Sequence, residues 1–129
     1  MLTIKAVSER VGIPASAIRY YEKEGLLPNI QRASDIRQFS EQDIGWLTTI
    51  CCFLKTGMPL ATIRQIVELS ALGDDTVEEC RSILLKHRED LLVKIDELDH
   101  ALSVVDAKIG IYDKKAAART SDIAQKTND

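Results

Sequence analysis

The chain has 129 residues, 29% charged and 45% apolar, an ordinary balance for a soluble protein and enough for one small domain plus a long helix. No apolar run approaches the ~18 residues of a membrane span. The first dozen residues hold no apolar signal block, so the expected compartment is the cytoplasm. The net charge of -3 argues at first against a polyanionic partner, but the charge is uneven. Residues 1–64 carry 8 Lys/Arg and 6 Asp/Glu, and residues 65–129 carry 9 and 14. The first part is the one suited to phosphates.

Ile4, Val7 and Val11 fall at helical spacing behind Thr3, a suitable N-cap, and Gly12 ends that helix. Pro14 sits where a first-turn proline is tolerated, and a second helix runs to about Glu24 before Gly25 stops it. Two short helices joined by a tight glycine-containing turn make a helix-turn-helix pattern. Residues 26–39 have no steady helical period and read as a small two-stranded wing. Ser40 and Asp43 resemble a capping box that opens a third helix to about Lys55. Gly57 closes it, Met58-Pro59 opens a fourth helix to about Ser70, and Gly73-Asp74-Asp75 is a turn.

From about Thr76 the pattern changes. Leu84, Leu91, Ile95, Leu98, Leu102, Val105, Ile109 and Tyr112 form a heptad seam, with Arg88 at the one missing position. About 30 or more residues of such helix make a rod of about 45 Å or longer. One apolar stripe on so long a helix needs a partner helix, and a symmetric homodimer is the default. Beyond Tyr112 the seam is lost, and residues 116–129 are expected to be a flexible, frayed tail.

At Ala17-Ile18-Arg19-Tyr20-Tyr21-Glu22, followed by Gly25-Leu26-Leu27, the chain resembles the MerR family of transcription regulators. The similarity continues through Arg37-Gln38-Phe39-Ser40, Asp43-Ile44 and the run from Leu54 to Leu60, and it covers roughly residues 2–70. The expected fold is mainly α: a winged helix-turn-helix over residues 1–73, then a long antiparallel coiled-coil dimerisation helix over 74–115. The resemblance implies a homodimer on promoter double-stranded DNA that bends and untwists an overlong spacer, serving RNA polymerase indirectly. That is indirect readout with half-sites on the protein's two-fold axis.

Candidate DNA contacts follow. Arg19 lies in the second helix, where a guanidinium suits a phosphate or a guanine edge; its bland alternative is a surface salt bridge with Glu22. Ala15 and Ser16 are small enough for that helix to approach base edges. Tyr20 and Tyr21 point about 100° apart, so one packs on the core while the other reaches outward. The resemblance favours Tyr20 as the contact. It also matches Arg37 to a wing arginine; the aromatic often preceding that arginine is Ile36 here, and Arg32 could compensate. Lys55 is a candidate for a second wing-like contact.

The cysteines are Cys51, Cys52 and Cys80, an odd set that does not read as a disulfide framework. On the third helix Ile44, Leu47, Cys51 and Leu54 share the core face, while Gly45, Thr48, Thr49, Cys52 and Lys55 share the other. Cys52 is therefore the accessible thiol, with Lys55 near enough to favour a thiolate. A cysteine five residues before the glycine is similar to the sensing thiol of the aldehyde- and electrophile-responsive branch of the family, which implies a stress-response role. The family's lysine often sits where Leu54 stands, and here Lys55 comes one step later. The competing reading of Cys52 is an inert residue.

No metal or cofactor is expected. Metal-sensing members carry a cysteine near the position of Val77 and a pair in a C-terminal loop, and nothing after Cys80 is a cysteine. Cys80 with His87 supplies too few zinc ligands, and His87 and His100 read as solvated positions of the coiled coil. At this length no large drug-binding domain is expected. No paired carboxylates, phosphate loop or catalytic triad point to an enzyme. The competing function is an effector-free architectural winged-helix DNA-binding protein.

Overall fold

A computed structural model describes residues 1–128, with side chains to residue 125. Asp129, the end of the expected tail, lies outside the described residues. Five α-helices and one hairpin follow in the order α1 (Ile4–Val11), α2 (Ala15–Lys23), β1 (Gln31–Ala33), β2 (Ile36–Gln38), α3 (Glu41–Lys55), α4 (Leu60–Ala71) and α5 (Val77–Asn128). A single 3-10 turn, Asp74–Thr76, precedes α5 at the turn expected around Gly73.

The boundaries have local causes. The Thr3 hydroxyl accepts from the Ala6 N–H, and Gly12 closes α1 at φ 82°, in the left-handed region where a side chain is disfavoured. At the start of α3, Ser40 and Asp43 exchange both bonds of a capping box: Asp43 N–H donates to the Ser40 hydroxyl at 3.1 Å, and Ser40 N–H donates to the Asp43 carboxylate at 2.8 Å. Strands β1 and β2 pair antiparallel with Arg32 opposite Arg37. Their two-residue turn, Ser34-Asp35, has φ of 51° and 65°, the twist that suits a right-handed hairpin. Leu2 pairs with Phe39 and closes the hairpin at its base.

Two compact units result, Met1–His87 and the helix from Arg88 onward. In the first, α1 to α4 and the hairpin surround Val7, Ile18, Leu26, Phe39, Leu47, Ile50, Met58 and Ile63, all buried. Ile83 on α5 packs against this core, so the compact unit runs past residue 73 into the opening turns of α5. Trp46 Nε1 donates to the Leu26 carbonyl at 2.8 Å, fixing the loop after α2. Arg64 on α4 donates to the Glu24 carbonyl and carboxylate at 2.9 and 2.8 Å, which satisfies the end of α2 with a cation where the helix dipole favours one.

The second unit is helix alone. Its seam residues are exposed in the single chain, Leu98 to 70% and Leu102 to 58%. The helix continues through residues 116–128, where the seam is lost: Ala116, Ala117 and Ala118 are strong helix formers, and no glycine or proline interrupts them. Among the described residues no helix is long and apolar enough to cross a membrane.

Candidate nucleic-acid interface

Helix α2 divides its residues by face. Ile18 is fully buried, Arg19 and Tyr20 are exposed, and Tyr21 is half-buried against the core. The Tyr20 and Tyr21 rings are tilted neighbours with centroids 6.1 Å apart. Burial pushes the Tyr21 phenol up, and Cys51 and Tyr20 add to the effect. The turn into α2 is fixed by the Ser8 hydroxyl bonded to the Ile13 carbonyl and by Pro14 as N-cap. Ser16 is exposed at the first turn and Ala15 is partly covered.

The hairpin is drawn to α2 by Glu22. One carboxylate oxygen, Oε1, accepts from Arg32 Nη2 at 3.0 Å and from Arg37 Nε at 3.1 Å. Arg32 also donates through Nη1 to the Asp35 carbonyl at 3.3 Å. Glu22 thus pairs with the wing and not with Arg19, which has no ion pair among the described residues. Ile36, where the family often has an aromatic, is 58% exposed beside Arg37.

The thiols sit at the other end of α3. Cys52 is exposed and Cys51 is half-buried. Burial pushes the Cys51 thiol up while the Lys55 ammonium opposes that shift, so the charge of Lys55 is felt at the residue four before it. The α3–α4 corner is closed by Gly57 at φ 92° and by buried Met58.

His87 departs from the sequence reading. It is half-buried, with Nε2 2.9 Å from the Thr56 hydroxyl and its ring edge-on to Phe53 at 6.1 Å. A solvated coiled-coil position does not describe it; the opening turns of α5 fold back against α3 and bring residues 31 apart together. His100 is exposed. Sequence reasoning also missed the bonding of Glu22 and Arg64, since neither partner lies within a helical turn.

A groove of about 410 Å³ opens between Leu27-Pro28-Asn29, Trp46 of α3 and Val67 of α4. Among the described residues no three His, Cys, Asp or Glu side chains gather as a metal site.

Comparison with known proteins bears on this arrangement. A family model described as MerR HTH family regulatory protein matches residues 2–70, and one described as MerR, DNA binding matches residues 44–107. An uncharacterized HTH-type transcriptional regulator of Haemophilus influenzae is 36% identical over 116 residues, 89% of this chain and 86% of that one. The HTH-type transcriptional regulator AdhR of Bacillus subtilis is 36% identical over 92 residues, covering 70% and 66% of the two chains. Among solved structures, HiNmlR, described as a MerR family regulator lacking the sensor domain and bound to promoter DNA, is 36% identical. Its TM-score is 0.82, with 89% of this chain and 92% of that one covered.

Proposed function

The chain belongs to the MerR family of helix-turn-helix regulatory proteins, DNA-binding transcription regulators and not enzymes, and from that premise we propose that its homodimer bends and untwists a promoter under the control of Cys52. In this reading residues 1–73 read DNA and residues 74–115 pair as an antiparallel coiled coil. The protein works in the cytoplasm and serves RNA polymerase through the shape of the DNA.

The observation that carries the reading is the pair Arg19 and Tyr20, exposed on α2 beside a wing that Glu22 ties to the same helix. Ala15 and Ser16 let the start of α2 approach base edges. Arg19 and Tyr20 bond phosphate or base, and Arg37 and Lys55 supply the outer contacts, with Arg32 beside Arg37 on the wing. Tyr21 is left mainly to the core, as its burial argues.

Cys52 is the proposed switch because it is the exposed member of the pair. Its sulfur adds to the carbonyl carbon of a small aldehyde. The C–S bond forms as the C=O π bond opens, and the thiol proton ends on oxygen, giving a hemithioacetal without any oxidant. The second reading, an effector-free architectural protein, has one observation on its side: the Lys55 charge acts on Cys51, the less accessible thiol.

In-vitro transcription from the protein's own promoter separates the two. Wild type and Cys52→Ser are compared with and without a small aldehyde. A response confined to wild type supports the switch. Equal activation that ignores aldehyde removes it. DNA binding with no change in transcription favours the architectural protein.

A further inference from the structure

Arg32 and Arg37 stand directly opposite each other across the hairpin, and like charges so placed repel. Glu22 resolves the repulsion from outside the sheet, by accepting from both guanidiniums through one oxygen. The two arginines are not held alike. Arg32 uses both terminal nitrogens, Nη2 on Glu22 and Nη1 on the Asp35 carbonyl. Arg37 is held only by Nε; its two terminal nitrogens make no hydrogen bond among the described residues. Glu22 and Arg37 are also the more buried members, at 21% and 23% side-chain exposure against 44% for Arg32.

We propose that Glu22 is a specificity-determining residue of the DNA interface: it presents the free Nη edge of Arg37 to a single phosphate and withholds Arg32 from the backbone. The proposal rests on the DNA-binding reading above and deepens it. A guanidinium gripped at Nε keeps its Nη pair coplanar and pointed away from the grip, the fork that matches phosphate oxygens. The three charged groups together offer the DNA one net positive charge. A carboxylate here weakens attraction to every duplex alike, whereas an oriented Arg37 helps only where α2 already lies in register. Glu22 therefore lowers affinity for random sequence more than for a true site.

The experiment uses the full chain and its Glu22→Gln, Arg32→Gln and Arg37→Gln variants. Affinity is measured over a range of salt for a random-sequence duplex and for a duplex of equal length from the protein's own upstream region. Glutamine keeps the acceptor oxygen and the side-chain shape but removes the charge. Glu22→Gln is expected to steepen the slope of log affinity against log salt by about 0.9 on the random duplex, as Arg32 acquires a phosphate. Over a fourfold rise in salt that amounts to about 3.5-fold more affinity lost. Its preference for the upstream duplex is expected to fall. Arg37→Gln flattens the slope by about 0.9, and Arg32→Gln leaves it unchanged.

A purely structural role for Glu22 lowers the melting temperature without steepening the salt slope, and that outcome overturns the proposal. So does equal flattening by Arg32→Gln and Arg37→Gln, a contrast that decides the matter even if Glu22→Gln does not fold. A wild-type chain whose DNA affinity ignores salt overturns the DNA-binding reading itself. A normal wild-type slope with an unresponsive Glu22→Gln overturns this proposal alone.

Discussion

The Nε2 atom of His87 lies 2.9 Å from the Thr56 hydroxyl oxygen, which is also 3.1 Å from the carbonyl oxygens of Cys52 and Phe53. A hydroxyl has one proton, and when a carbonyl takes it the oxygen accepts from His87 Nε2–H. The start of α5 is thereby pinned to the end of α3. His87→Ala is expected to destabilise the protein by about 1–3 kcal/mol, from one hydrogen bond and one edge-on aromatic contact. Denaturant titration reads this as a lower midpoint at unchanged slope. An unmoved midpoint would mean that the contact contributes nothing in solution.

The adjacent tyrosines should separate in function. Tyr20→Phe is expected to weaken DNA binding with little effect on stability, and Tyr21→Phe to leave DNA binding nearly intact. The half-buried Tyr21 also predicts a pH dependence. Its phenol is raised above 10.0 by burial, so the folded state favours the protonated form. That contribution is whole below about pH 10 and is lost as pH rises through the raised value. Cys51, raised above 9.0 for the same chief reason, begins to act one unit lower. Stability should therefore decline above about pH 9, and Tyr21→Phe should remove the upper part of the decline. Melting curves across the alkaline range supply the check.

Thiol labelling should rank the cysteines by burial. Cys52 is expected to react with iodoacetamide well ahead of Cys51, whose thiol is both half-covered and harder to ionise. Mass spectrometry of labelled peptides at mildly alkaline pH gives the order. Equal rates at the two positions would remove the accessibility argument for Cys52.

The exposed seam of α5 leads to an assembly test. Leu98→Asp or Leu102→Asp puts a charge into the exposed apolar stripe proposed to pair with a second helix, and is expected to convert dimer to monomer. Val93→Asp, well round the helix from that stripe, should leave the mass unchanged. Sedimentation equilibrium distinguishes them. A dimer that survives both seam substitutions would place its contact elsewhere.

Much of the fold was legible because its punctuation is local. Thr3, Gly12 and the Ser40–Asp43 pair each act within four residues, and the structure bears them out. The different exposure of Cys51 and Cys52 follows from helical spacing alone. What escaped depends on distant partners. No spacing rule sets Arg32 opposite Arg37, with Glu22 between them, because that needs both the hairpin register and the docking of the hairpin on α2. His87 lies near the start of a heptad pattern, yet the side of α5 it occupies is covered by its own domain. The helix beyond Tyr112 shows a different confusion. Losing a seam removes a reason for a partner, not the propensity of Ala116 to Ala118 to stay helical.

The tip of the hairpin has one more consequence. Ser34 and Asp35 both adopt left-handed backbone angles, and neither is glycine. Such residues hold that shape at a cost, and Asn-Gly is the pair the geometry suits best. The tip is therefore a ready adjustment point for protein engineering: Ser34→Asn with Asp35→Gly should stiffen the finger that carries Arg32 and Arg37 while replacing neither arginine and keeping the backbone carbonyl at 35 that accepts from Arg32. Binding strength could then be tuned through the rigidity of a reversal that need not itself meet the duplex.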